Sequence, residues 1–246
     1  FTGNLHFEGV MIFFLLWSIY LLLTQKWVGS AVVLGLSVSV KLIPLLFLPL
    51  FFKKLGLKQA IGYYLVTALI VLLLFAPFIS EALIANFMSS IELYFQNFEF
   101  NASVYYIVRA IGYEVTGYNI IQTAGRILPV VTFISIVLLA FVRQNKEPRV
   151  LMTSMLWAIT IYYALSTTVH PWYVAVPLAV SIWSGYRFPV AWSAVVILSY
   201  AAYGYRDYRE NLWLVALEYS VVFTVMIYEL RKGVTPPLPV KSYTHA

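Results

Sequence analysis

The sequence predicts an all-α polytopic membrane protein, and three observations predict it. Hydrophobic residues make up 62% of the chain and charged residues 11%, whereas soluble domains are about a quarter charged. Mean hydropathy is +0.85. Apolar runs at 61–79, 124–142 and 212–230 reach the roughly 18 residues that a spanning helix needs. They do not alternate as the strands of a membrane barrel do. A helix also satisfies its own backbone groups in hydrocarbon.

Taken in order, full spans are expected at 9–24, 61–79, 124–142, 150–165, 174–183, 188–205 and 212–230. That makes about seven, of which 174–183 is short for a bilayer. No basic n-region or small-residue cleavage site precedes 9–24, so a cleavable signal peptide is not expected. Segment 30–52 is apolar but broken by Lys41 and Pro44. The residue before a proline is pushed away from helical backbone. Two half-helices, 30–40 and 44–52, hinged at Lys41-Leu42-Ile43-Pro44, are therefore expected to form a hairpin that enters and leaves on one side. The alternative is one kinked helix.

Lys26, the cluster Lys53, Lys54 and Lys58 (read as a tight basic loop), the loop 143–149, Arg187 and the basic tail 233–246 belong inside by the positive-inside rule. The hairpin is what lets Lys26 and Lys53 share a side. Arg206 and Arg209 dissent, interleaved with Asp207 and Glu210. Residues 1–232 then form a single transmembrane domain, and segment 80–122 lies outside together with residues 167–173. Within it, Leu83, Phe87, Ile91 and Tyr94/Phe95 recur at helical spacing, as an amphipathic helix on the membrane surface would. Phe98-Glu99-Phe100-Asn101-Ala102-Ser103 reads as a turn whose Asn101 or Ser103 caps a second short juxtamembrane helix near 104–112.

Four groups of residues are suited to chemistry. His170-Pro171-Trp172-Tyr173 joins two spans with an imidazole, an indole and a phenol. His170 can exchange a proton or hold a phosphate oxygen. Trp172 and Tyr173 offer flat faces to a sugar or an isoprenoid. An aromatic belt accounts for Trp and Tyr but not for His beside Pro. Lys41 is costly inside an apolar run and so anchors a polar cavity, snorkels, or joins an ion pair. His6 and Glu8 flank the first span on the His170 side. A carboxylate there orients a sugar hydroxyl or a metal, or simply suits the helix start. Glu99, Asn101 and Arg109 form the fourth group; Arg109 pairs either with a phosphate or with Glu99 or Glu114.

Other classes lack their marks. The sequence has no cysteine, hence no disulfide and no thiolate metal site. No phosphate-cradling Gly-rich loop, H-E-x-x-H or G-x-S-x-G occurs. The net charge of +6 reports orientation, and no basic stripe interleaved with aromatics invites nucleic acid.

In order along the chain, His6-Phe7-Glu8-Gly9, then Leu34-Gly35-Leu36-Ser37-Val38-Ser39-Val40-Lys41-Leu42-Ile43-Pro44, then Phe98–Ser103, then His170-Pro171-Trp172-Tyr173 resemble the GT-C-fold integral membrane glycosyltransferases. The likeness is strongest to bacterial polyprenyl-phosphate-mannose-dependent mannosyltransferases. The resemblance implies a multi-pass protein of the bacterial inner (plasma) membrane. It implies transfer of a mannosyl or other hexosyl group from a polyprenyl-phosphate donor to a glycan or lipid acceptor on the outer face. Glu8 and His170 would position sugar or phosphate and Lys41 the cavity floor. A divalent metal occurs in parts of the superfamily, but nothing here fixes one. The family's catalytic Asp lies in an outside loop upstream of the conserved acid. The only Asp here is Asp207, near the wrong end. With Phe1 first and already in an apolar context, the resemblance implies a chain that lacks N-terminal spans and its general base and is inactive alone. Two rivals remain: a transporter or flippase of lipid-linked sugar, whose internal repeat is not visible, and a non-catalytic membrane subunit.

Overall fold

The hairpin at the Lys41 break organises the N-terminal half. The computed structural model describes residues 6–204 and 209–233. Helices α1 (Glu8–Leu23) and α2 (Trp27–Val40) are joined by a reversal at Gln25, whose φ is 64°. They run antiparallel. The Ser37 hydroxyl donates to the Met11 carbonyl at 2.7 Å and Ser30 to Ser18 at 2.7 Å. Lys41 then adopts extended backbone (φ −153°, ψ 146°), and a 3₁₀ turn at Ile43–Phe47, opened by Pro44, starts the return. The break therefore falls where the sequence places it.

The rest of that region differs from expectation. α2 begins at Trp27, and the return arm continues as α3 (Leu48–Phe75). Lys53, Lys54 and Lys58 are themselves helical and flank a turn much shorter than the expected loop. The reversal is confined to Gly56, at φ 73° and ψ 167°, a conformation open only to glycine. The Tyr64 hydroxyl reaches the Leu48 carbonyl at 3.1 Å. In a straight helix those residues would be about 24 Å apart, so the two parts of α3 fold against each other. The second part runs alongside α2. Tyr63 meets the Ser18 and Ser30 hydroxyls at 3.1 and 2.9 Å, and Thr67 donates to Ala31 at 3.2 Å. Small hydroxyl residues let these helices approach closely.

A 3₁₀ turn (Ala76–Phe78) leads to α4 (Glu81–Glu92), capped by Ser80, whose hydroxyl accepts from Leu83 N–H at 3.1 Å. After a π turn (Leu93–Asn97) comes α5 (Val104–Thr116). The expected side-chain cap on α5 is not formed. Ser103 donates instead to the Ala164 carbonyl, and Asn101 takes a left-handed φ of 47°. α6 (Ile121–Val142), α7 (Pro148–Leu165), α8 (Ala175–Ser184), α9 (Phe188–Val195) with its 3₁₀ extension (Val196–Gly204), and α10 (Leu212–Lys232) complete the chain. Lys53 donates to the Arg143 carbonyl at 3.0 Å, satisfying an open carbonyl at the end of α6. Arg187 and Phe188 amides donate to Glu229, which ties the start of α9 to the end of α10.

Among the described residues, three helical segments are long and apolar enough to cross a membrane: Ile43–Phe78, Ile121–Val142 and Leu212–Lys232. Glu8–Leu23, Trp27–Val40 and Phe188–Gly204 are shorter apolar helices. These segments bear out a helical protein with membrane-crossing helices and leave the expected seven full spans unconfirmed; Ile43–Phe78 doubles back at Gly56. Arg206, Asp207 and the tail from residue 234 lie outside the described residues.

Candidate functional site

Three elements meet at the hairpin tip: the start of α1, the end of α2, and the link between α7 and α8. Lys41 forms an ion pair with Glu8. Glu8 is fully buried, and its Oε2 has no hydrogen-bond partner. The Lys41 ammonium also stands 5.4 Å from the centre of the Tyr173 ring, within cation–π range. An ammonium and a carboxylate that would each be expensive alone in apolar surroundings are thereby paired.

Beside this pair is a stack of rings. Trp172 lies 3.7 Å from His6 and 4.5 Å from His170, centre to centre, with planes 19° and 10° from parallel. Two imidazoles so close to one indole cannot share a face, so Trp172 is held between them. Pro171 opens the 3₁₀ turn Pro171–Val174 that carries Trp172 and Tyr173. Tyr173 stacks on the buried Tyr163 at 5.7 Å. Burial pushes the His170 imidazole down to about 4, helped by the neighbouring charges of His6 and Lys41. His170 Nδ1 and the Tyr163 hydroxyl are buried without a partner. Glu8 Oε2, His170 Nδ1 and the Tyr163 hydroxyl are thus three buried polar atoms with unmet hydrogen-bonding capacity in this group of side chains.

The link is held from the other side by a short β-bridge. Phe100 N–H donates to Thr167 at 3.1 Å, and Val169 N–H donates to Phe100 at 2.8 Å. Thr168 Oγ1 donates to the Phe98 carbonyl at 3.0 Å. A cavity of about 250 Å³ opens between the hairpin tip, α4 and the link, lined by Leu42, Phe87, Ile91, Tyr173 and the hydroxyl residues Ser90 and Thr168, among others. An apolar opening with a few hydroxyls next to fixed charges is the usual character of a small-molecule site.

His6, Glu8, Lys41, His170, Trp172 and Tyr173 are thus gathered as a group. Glu99 and Arg109 form a separate one. Arg109 pairs with Glu99 and lies 4.3 Å from the Tyr106 ring. Glu99 also accepts from Tyr105 at 2.7 Å and from Asn119. Burial and the adjoining carboxylates raise the Tyr105 and Tyr106 phenols. Asn101 faces α10: its Nδ2 donates to Glu218 at 3.1 Å and its carbonyl accepts from Tyr219 at 2.7 Å. No group of three metal-ligating residues forms among the described residues. His6 and His170 are separated by the indole and Glu8 is committed to Lys41, so these side chains do not fit a divalent metal.

A family model for glycosyltransferase family 87 matches residues 6–168. That is well over half of the chain. The chain belongs to glycosyltransferase family 87. No curated protein matches it, and no solved structure does. The family 87 match takes in the Glu8–Lys41 pair, the hairpin and the 98–103 turn, and stops just before His170. The chain is therefore a membrane glycosyltransferase.

Sequence reasoning passed over Tyr163, Trp192, Glu210 and Glu218. For Glu218 the signal was present: a carboxylate inside an apolar run is as costly as Lys41. For Tyr163 and Trp192 no local pattern distinguishes site wall from ordinary core.

Proposed function

We propose that this protein transfers a mannosyl or other hexosyl group from a polyprenyl-phosphate donor to a glycan or lipid acceptor at the outer face of a bacterial inner membrane. The observation that carries the reading is the convergence of Glu8, Lys41 and His170 beside an apolar, hydroxyl-edged cavity. A lipid-linked sugar phosphate presents an anion, sugar hydroxyls and an apolar tail. Lys41 supplies the cation, Glu8 Oε2 and Tyr163 the groups for hydroxyls, and Trp172 and Tyr173 the flat faces. Neutral His170 offers Nδ1 as a donor or an acceptor according to tautomer. Leu42, Phe87 and Ile91 suit the first isoprene units.

Orientation follows from charge. Lys26, Lys53, Arg143 and Arg187 belong to one end of the bundle and Glu8, Lys41 and His170 to the other, so the positive-inside rule turns the site outward. Glu8 orients the sugar, with one carboxylate oxygen engaged by Lys41 and the other left for a hydroxyl. The base that activates the acceptor is not assigned to any residue of this chain.

The test is sugar transfer in membranes from cells expressing the full-length gene, with polyprenyl-phosphate-mannose offered against a nucleotide sugar. Transfer from the lipid donor that is lost in His170→Ala and Lys41→Met, at normal expression, supports the reading. Transfer from the nucleotide sugar alone, or full transfer in His170→Ala, overturns it.

A further inference from the structure

Behind the His170 wall is a buried polar cluster whose centre lies beyond the family match. Glu218, in α10, is fully buried. Its Oε1 accepts two hydrogen bonds from different elements, Asn101 Nδ2 at 3.1 Å and Trp192 Nε1 at 3.0 Å. Neither donor belongs to α10. A carboxylate this costly to bury spends its hydrogen bonds on other parts of the fold.

Both donors lead to the site. Asn101 is clamped at every backbone polar group: its N–H donates to Glu210 at 2.6 Å and its carbonyl accepts from Tyr219. It holds φ 47°, a conformation that its own backbone does not favour. The next residue back, Phe100, makes the bridge to the link and lies 5.2 Å from the His170 ring. On the second route, Trp192 packs edge-on to Tyr163 at 6.1 Å, and Tyr163 stacks on Tyr173, which meets His170 edge-on at 5.3 Å.

We propose that Glu218 is a positioning residue that, through Asn101 and Trp192, fixes the 98–101 turn and the aromatic wall against which His170 is buried. Glu218 touches no reacting group. It acts by keeping His170 shielded and correctly placed. The proposal rests on the donor-site reading only for its effect on binding; its effect on His170 is independent of any ligand.

The test therefore has two arms, both on full-length protein in detergent micelles. The first is the titration of His170 by NMR of ¹³C-histidine-labelled protein, its signal assigned by its loss in His170→Gln. The wild-type midpoint is expected at about 4. In Glu218→Leu the wall loosens, and the midpoint climbs by about one pH unit or more toward the free value. Glu218→Gln keeps an acceptor oxygen for both donors and leaves it unmoved. The charges facing His170, Lys41 and His6, are the same in every variant. If Glu218→Leu does not fold, Asn101→Gly cuts the same link at a backbone angle that glycine tolerates, and the same rise is expected. An unmoved midpoint in either folded variant, or an equal rise in Glu218→Gln, overturns the proposal.

The second arm is binding of undecaprenyl phosphate, followed by tryptophan fluorescence. Glu218→Leu is expected to weaken it about tenfold or more, and Glu218→Gln by less than about threefold, because small displacements at a site are amplified. Wild-type protein that does not bind undecaprenyl phosphate overturns the donor reading and leaves the titration arm to decide the role of Glu218.

Discussion

The His170 imidazole lies flat on the Trp172 indole, 4.5 Å between centres and 10° from parallel, while its Nδ1 is buried without a partner. Burial favours the neutral ring, so the folded protein resists the proton that the unfolded chain accepts. Between pH 6.5 and about 4 the unfolded state binds more protons, and stability falls as pH falls through that window. The loss is roughly 1.4 kcal/mol for each pH unit crossed. Thermal melts from pH 7.5 downward should show this loss in the wild type and a shallower one in His170→Gln. Parallel profiles would rule out the buried neutral histidine.

Glu8 and Lys41 are not equivalent partners. Glu8 has no exposure, whereas the Lys41 side chain keeps 28%. Removing the lysine strands a buried carboxylate; removing the carboxylate leaves an ammonium that reaches water. Lys41→Met is expected to cost about 3 kcal/mol and Glu8→Gln clearly less. In a double-mutant cycle the combined variant should recover part of the Lys41→Met loss. Additive single effects would mean that the pair is not coupled.

Gly56 makes the reversal within α3 at φ 73° and ψ 167°. Gly56→Ala puts a Cβ in open space, so its penalty is backbone strain alone, about 1–3 kcal/mol. A melting temperature equal to that of the wild type would show that α3 does not reverse there.

Gly35 makes the opposite kind of test. Its backbone is ordinary, but an added Cβ would meet Ile70 at 2.7 Å and the Thr67 carbonyl at 3.2 Å. Gly35→Ala forces α2 and α3 apart and is expected to cost about 1–3 kcal/mol. Gly9→Ala, where nothing lies within 4 Å, serves as the control. Equal melting temperatures for the two variants would contradict close packing of α2 on α3.

Composition and apolar runs were enough to determine a helical membrane protein, because hydrocarbon leaves the backbone little alternative to helix. The break at Lys41–Pro44 was legible for a local reason, the restriction that proline places on its predecessor. His6, Glu8, Lys41 and the 170–173 aromatics were legible as costly or unusual residues in their own segments. What joins them was not. No local rule in the sequence reveals that Glu8 meets Lys41, or that Trp172 separates two histidines, since those contacts depend on helices folding back on one another. The same holds for the contact of Arg109 with Glu99, which depends on how α5 sits against the 98–103 turn. The turn among Lys53, Lys54 and Lys58 was legible from charge, but its narrowing to the single residue Gly56 was not. Glu218 shows the division most clearly. Its cost was written in the sequence of α10, but only the tertiary structure, by bringing Asn101 and Trp192 to one carboxylate oxygen, decided what that cost serves.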